Sequence, residues 1–368
     1  MIRPHPVLLL ARHLDLGGSE RQLAEIARCL DRRRFEPHVA VFRPGGKRAA
    51  ELAAEGIPLL SLDLFSLRPP ESLLAAHRLV GYIRRHGIEL LHAFDAPACI
   101  YAGPLARAFS SCAVLSSQRA HRDLVWGWGR HLLRVTDRLV DGVVVNCRFV
   151  QEHLVSEEKV PAGLIHLCYN GVDTGVFQPG SGTSADPVLR VGVVCALRPE
   201  KQLDVLLEAF ARIRRFRENL ELLIVGDGPC LSELRARAEA LRLTGSCTFQ
   251  PAVADVAHWL RRIAIFVLPS RSEALSNALM EAMACGCCTV ASRVGGNPEL
   301  VRDGETGLLF EPGNPVELAA RLQLLLDQES LRRQLAAAGQ RLMRDSFSLQ
   351  HAACRMGEIY AKVLENRP

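Results

Sequence analysis

The chain reads as an α/β protein made of two parallel-sheet halves. Short apolar runs of strand length alternate with amphipathic stretches of helical period along most of the sequence, which is the signature of βαβ units and so of sheets covered by helices on both faces. The alternation breaks once, at the polar stretch PGSGTSADP (179–187), and then begins again, as it would on either side of a linker. With 368 residues and 48% apolar composition, the chain is long enough for two domains that each bury a core.

In the first half, the runs 7–11, 37–42, 58–62, 90–93, 113–116 and 142–146 predict strands, and the stretches 20–30, 70–86 and 128–139 predict helices between them. Beyond the linker, strands are expected at 189–196, 220–225, 246–249, 263–268 and 289–291, with helices at 202–214, 232–241 and 256–261. From residue 316 onward the pattern is helical throughout. The expected domains are therefore 1–178 and 179–345, two Rossmann-like halves facing a central cleft. A terminal helix at 346–368 is expected to pack back toward the first.

Composition narrows the function classes. The net charge of +5 does not argue for nucleic acid, although the excess falls in residues 1–180, with 22 basic and 18 acidic side chains. No run of eighteen apolar residues occurs, and the run at 7–11 is too short for a signal-peptide core and reads as a first strand. Twelve scattered cysteines fit a reducing cytoplasm better than a disulfide framework. Cys285, Cys287 and Cys288 read as small buried residues rather than metal ligands, because no histidine or fourth thiol lies near them in sequence.

The candidate site centres on SEALSNALMEAMACG, at 272–286. Pro269 closes a strand, Glu273 lies in the loop after it, and Ser276 or Asn277 can cap a helix expected to begin at Ala278, with Glu281 in its first turn. Free N–H groups at a helix start attract phosphate, whereas carboxylates beside a diphosphate are better suited to accept hydrogen bonds from neutral hydroxyls. Together these groups describe a sugar nucleotide. Each acid also has an ordinary reading, Glu273 as a solvated loop residue and Glu281 as an acid favoured by the helix dipole.

Other loops at expected strand ends add to the site. Arg198 and Lys201 follow a strand and precede a helix, where a guanidinium fork and an ammonium can reach a diphosphate. Gly17 and Gly18, directly after the first strand, form either an anion nest or a tight turn. Gly226 opens GDGP, a turn that fits a base or ribose or merely turns. Val294-Gly295-Gly296 reads as a turn with room for a ligand. The segment 119–138, with Trp126, Trp128 and several arginines, is read either as a helix in peripheral contact with the inner membrane or as an ordinary amphipathic helix packed on the sheet.

In this order the motifs GGSE (17–20), NGVD (170–173), the basic loop before Lys201, GDGP (226–229), E-x7-E (Glu273 and Glu281), VGGNPE (294–299) and DGETGLLF (303–310) resemble the retaining family-4 glycosyltransferases of the GT-B fold. The resemblance covers nearly the whole chain. It implies that Glu273 meets the transferred sugar near the reacting carbon, Glu281 the ribose, and Arg198 with Lys201 the diphosphate. Amides around Ser276, Asn277 and Ala278 would assist, and Gly17, Gly18 and Gly226 would border the donor. It further implies a nucleotide-diphosphate sugar as donor, a glycan or lipid-linked acceptor, and chemistry that needs no metal and no cofactor. Where relatives often place a histidine near Ser117, this chain has Arg119, with His121 two residues on, so either is the expected acceptor-side residue. Ala196 replaces a basic residue common in relatives, with Arg198 as the substitute, and Gln202 replaces a glycine.

Overall fold

The computed structural model describes residues 3–15, 17–120, 122, 127–180, 188–217 and 219–366. His121, Trp126 and most of the expected linker (181–187) lie outside the described residues. The chain divides into two compact units, Met1–Gly171 with Leu349–Pro368, and Val172–Ser348. The division falls at Gly171, ahead of the Pro/Gly/Ser stretch. The return crossing falls at Ser348.

The first unit holds a seven-stranded parallel sheet of β1 (His5–Ala11), β2 (Phe35–Val41), β3 (Leu59–Ser61), β4 (Leu90–Ala93), β5 (Ala113–Gln118), β6 (Gly142–Val145) and β7 (Ile165–Leu167), in the order β3-β2-β1-β4-β5-β6-β7. All six pairings are parallel. β1 and β4 are buried along most of their length, which is why they read as unbroken apolar runs rather than alternating ones. The helices are α1 (Gly18–Cys29), α2 (Lys47–Ala54), α3 (Glu71–His86), α4 (Ala96–Phe109), α5 (Gly127–Thr136) and α6 (Arg148–Ser156). α4 was not expected: APACIYAGPLARAF is apolar almost all round, with Pro104 inside it, and its start is fixed by the Asp95 side chain accepting from the Ala98 amide. α2 and α6 are short and were likewise not expected.

The C-terminal helix, Leu349–Glu365, belongs to this unit. Its Met356, Ile359, Tyr360 and Val363 share one core with Leu9, Leu23, Phe35 and Val39. At its centre the Tyr360 hydroxyl and Ser117 Oγ each lie 2.8 Å from a nitrogen of the fully buried His92 ring. Burial and the nearby Arg119 charge push His92 well below the usual histidine range.

The second unit holds a six-stranded parallel sheet, ordered β10-β9-β8-β11-β12-β13, from β8 (Leu189–Val194), β9 (Leu220–Val225), β10 (Cys247–Gln250), β11 (Ile265–Leu268), β12 (Cys288–Ser292) and β13 (Leu308–Phe310). Both sheets reverse their strand order at the first strand of the unit. That reversal opens a crevice at the carboxyl ends of the strands. The helices are α7 (Leu203–Arg214), α8 (Leu231–Ala240), α9 (Val256–Leu260), α10 (Asn277–Ala284), α11 (Asn297–Leu300), α12 (Pro315–Asp327) and α13 (Glu329–Ser346). Helix α10 begins at Asn277, one residue before the expected start at Ala278. Glu281 is consequently its fifth residue and lies beyond the first turn.

Candidate functional site

The site in the second unit is assembled from loops that follow β8, β9, β11 and β12, all at the carboxyl end of the sheet. After β8 the chain makes a tight 3₁₀ turn, Pro199–Lys201, and Gln202 takes a left-handed conformation before α7. That turn aims Lys201 at the loop after β11. Its Nζ lies 2.5 Å from Glu273 Oε1, and Ser270 Oγ donates to the same oxygen at 2.7 Å. Both partners of the ion pair are largely buried, with side-chain exposures of 19% and 10%. Burial alone would lower the Lys201 pKa, but the Glu273 carboxylate outweighs it and holds the ammonium above its ordinary value.

Backbone contacts lash these loops together. The Arg271 N–H donates to the Glu200 carbonyl at 2.8 Å, and the Gly296 N–H donates to the Ala274 carbonyl at 2.7 Å. Gly295 has φ +54°, and a Cβ there would stand 1.8 Å from the Glu273 carbonyl oxygen. The space beside Gly295, expected to admit a ligand, is thus occupied by the backbone of the Glu273 loop. Gly226 follows the same rule: with φ +148°, a Cβ on it would lie 1.9 Å from the Cys195 carbonyl oxygen. It lets the loop after β9 close against the loop after β8, where the Leu197 N–H donates to the Asp227 carbonyl at 2.9 Å.

Helix α10 starts behind Glu273. The Ser276 side chain caps it by accepting from the Leu279 amide at 3.4 Å, with Asn277 and Ala278 as the first two helical residues. Glu281 is buried at 6% exposure. Arg198, by contrast, points outward, with its side chain 63% exposed and 4.0 Å from Glu200. The structure therefore brings Lys201 onto Glu273 in the loop that leads through Ser276 into the first residues of α10, Asn277 and Ala278, and gives Arg198 an environment unlike that of Lys201. Sequence reasoning passed over Ser270, which is fully buried and supports Glu273; its position three residues before the acid at a strand end was the available signal. Cys285, Cys287 and Cys288 are buried free thiols, and Cys287 donates to the Leu260 carbonyl.

In the first unit, Gly17 caps α1 and Gly18 begins it. The helix is anchored by Gln22, whose amide donates to the Gly171 carbonyl at 2.8 Å and accepts from the Gly171 N–H at 2.9 Å, so the helix that carries GGSE in its first turn meets the NGVD segment through Gln22. Arg119 follows β5, its guanidinium 4.8 Å from the centre of the Phe94 ring and donating to Asn170 Oδ1 at 2.7 Å. Beside it, Gln118 and Asn146 end β5 and follow β6; both are buried, and Gln118 Nε2 and Asn146 Oδ1 find no partner among the described residues. Neither residue was singled out from the sequence.

A family model described as glycosyl transferases group 1 matches residues 182–342, and one described as glycosyltransferase family 4 matches residues 16–176. The GDP-mannose-dependent alpha-(1-6)-phosphatidylinositol monomannoside mannosyltransferase of Mycolicibacterium smegmatis is 30% identical over 325 residues, covering 82% of this chain and 84% of that one. A D-inositol 3-phosphate glycosyltransferase of Streptomyces bingchenggensis is 29% identical over 249 residues, 61% of this chain, and the match spans about half (53%) of that relative's length. In fold, the crystal structure of Anabaena HepE in complex with UDP aligns with a TM-score of 0.84 at 20% identity, covering 97% of this chain and 100% of that one. The chain therefore belongs to the group 1, family-4 glycosyltransferases, and its two units are the Rossmann-like domains of the GT-B fold.

Proposed function

We propose that the protein is a retaining glycosyltransferase that moves a sugar from a nucleotide-diphosphate sugar to a glycan or lipid-linked acceptor. The observation that carries this reading is the Lys201–Glu273–Ser270 cluster at the carboxyl ends of β8 and β11. Glu273, held by Lys201 and Ser270, accepts hydrogen bonds from hydroxyls of the transferred sugar. Lys201 supplies positive charge where the departing diphosphate gains negative charge, and Arg198 adds to it from the exposed side of the same turn. Amides at Ser276, Asn277 and Ala278 and the start of α10 favour the phosphates, Glu281 takes the ribose, and Gly17, Gly18 and Gly226 border the donor.

Leaving-group departure and attack on one face of the sugar retain the anomeric configuration. The diphosphate charge is met by side chains and amides, so the reading requires neither metal nor cofactor. Arg119 or His121 serves the acceptor side. The relative named for phosphatidylinositol monomannoside supports a lipid-linked acceptor, and HepE with UDP supports a nucleoside diphosphate donor. We place the protein in cell-surface polysaccharide or glycolipid synthesis, cytoplasmic or peripheral on the cytoplasmic face of a membrane. Among the described residues no helix is long and apolar enough to cross one.

The test is thermal stabilisation by UDP, GDP, ADP and their sugars, with Lys201→Ala as control. A ligand bound only by the folded state, at about 100 times its Kd, adds ~2.7 kcal/mol. One nucleotide class is expected to raise the Tm, and Lys201→Ala to abolish the rise; no rise from any nucleotide at millimolar concentration overturns the reading.

A further inference from the structure

The ladder between β11 and β12 runs in register as far as Leu268 and Ala291. Beyond it Pro269 has no N–H to donate, so the loop that carries Glu273 leaves the sheet without that backbone bond. A side chain takes over. Ser292 Oγ, at the end of β12, donates to the Ser270 carbonyl at 2.6 Å. The Ser292 carbonyl in turn accepts from Asn297 Nδ2 at 3.0 Å and from the Val294 N–H at 2.9 Å. Asn297 opens α11, and its own N–H donates back to the Val294 carbonyl at 3.0 Å.

These bonds form one directed series. Asn297 donates to Ser292, Ser292 to Ser270, and Ser270 to Glu273 Oε1 at 2.7 Å, each serine accepting at its carbonyl and donating from its hydroxyl. Ser270, Ser292 and Asn297 are fully buried, so no bulk water stands ready to replace a missing member. A buried acceptor that loses its donor costs more than the bond itself contributes. Lys201 Nζ bonds the same carboxylate oxygen from the other side, at 2.5 Å. Oε1 is thereby committed to two protein donors, while Oε2 takes none among the described residues.

We propose that Asn297 and Ser292 are positioning residues for Glu273: through Ser270 they fix the carboxylate so that Oε2 faces the hydroxyls of the transferred sugar. The proposal rests on the reading of Glu273 as the acid that meets that sugar. It assigns the turn between β12 and α11 the task of holding the group that meets the donor, rather than of meeting the donor itself. The placement matters because a displacement of about 1 Å in a group that orients substrate can cost about 100-fold in rate.

Two measurements on the full-length protein test this. Crystal structures of Ser292→Ala and Asn297→Ala, beside the wild type, read the position of Glu273 directly. Its carboxylate is expected to turn away from its wild-type orientation in both; a carboxylate that keeps its place in both overturns the proposal, whether or not the transferase reading stands. The second measurement is release of UDP from UDP-glucose and of GDP from GDP-mannose. For the donor that wild type uses, kcat should fall about tenfold or more in each variant, with donor KM and stabilisation by the bare nucleotide within about twofold of wild type. Ser292→Thr, which keeps the hydroxyl, should restore kcat. Val290→Ala, which trims a buried side chain of the same strand outside the series, should lower the Tm and leave kcat in place. Added to Glu273→Gln, Ser292→Ala should lower kcat no further, because its effect passes through the carboxylate. A full additive loss there would mark a purely structural serine and overturns the proposal. Release of neither nucleotide by wild type counts against the transferase reading, and the crystal structures still decide the positioning.

Discussion

At the scale of single residues, Gly295 is the least replaceable position near Glu273. Its φ of +54° is costly for any side chain, and a Cβ would meet the Glu273 carbonyl at 1.8 Å, a backbone atom that has no flexible end to withdraw. Gly295→Ala is expected to cost ~2 kcal/mol or more, to displace Glu273 from Lys201, and to remove both transfer and nucleotide stabilisation. A variant that kept wild-type activity would separate the Gly295 turn from the site. Glu273→Gln keeps the shape but leaves Lys201 without its counter-charge, and transfer should fall by about 100-fold or more; an assay with the matched donor and acceptor reads this directly. Glu273 was singled out in the sequence by the motifs around it, since an acid after a strand and before a capped helix also has an ordinary reading as a solvated loop residue, and the structure instead pairs it with Lys201. The reason for Gly295 was not legible there: a glycine pair announces close approach, but only the fold shows that the approaching group is the protein's own backbone.

Among the elements, α5 depends most on charge. Glu158, after α6, takes hydrogen bonds from Arg130 and Arg134 of α5 at 2.7 and 2.5 Å, with Arg122 at 3.4 Å. Burial would raise its pKa, but the Arg134 and Arg130 hydrogen bonds and the Arg122 charge prevail and hold it at about 2. A carboxylate whose folded pKa is depressed stabilises the protein above its unfolded pKa, and that contribution is lost as pH falls through the folded value. Acid unfolding should therefore draw on this cluster between about pH 4.5 and pH 2. Glu158→Gln, which removes the counter-charge shared by Arg130 and Arg134 and leaves Arg122 with Asp137 alone, is expected to cost ~1–3 kcal/mol at neutral pH and to remove that part of the acid transition; an unchanged acid midpoint would show that the cluster contributes little. The helix was expected from its stripe of leucine, valine and tryptophan. Its anchorage was hidden, since Glu158 lies two dozen residues beyond Arg134 and the adjacent glutamates of EEK (157–159) carry no periodic signal. The same holds for α4, whose all-round apolar surface erases the periodicity by which a half-exposed helix is recognised.

For the molecule as a whole, the chain leaves the first unit at Gly171 and returns to it at Leu349, and its last helix completes a core begun by its first strand. Strand alternation made both sheets legible, because a parallel sheet buried on both faces must be written in short apolar runs. The final helix was expected to pack back toward the first half, but the contacts that seat it join residues hundreds of positions apart, such as His92 with Tyr360, and local pattern carries no record of those. A chain ending at Ser348 would expose Leu9, Phe35 and Val39 and strip His92 of a hydrogen-bond partner. Losing Met356, Ile359, Tyr360 and Val363 together should exceed the ~5–15 kcal/mol that holds an ordinary domain folded. In hydrogen exchange, amides of β1, β2 and α1 should lose protection in the truncated chain, while those of β8, β9, β11 and β12 keep theirs and gain more with nucleotide, because the Lys201–Glu273 site needs no residue of the first unit for its own hydrogen bonds. If protection in the second sheet collapsed along with the first, the two units would share one stability, and the donor site could not be treated as the property of the second unit alone.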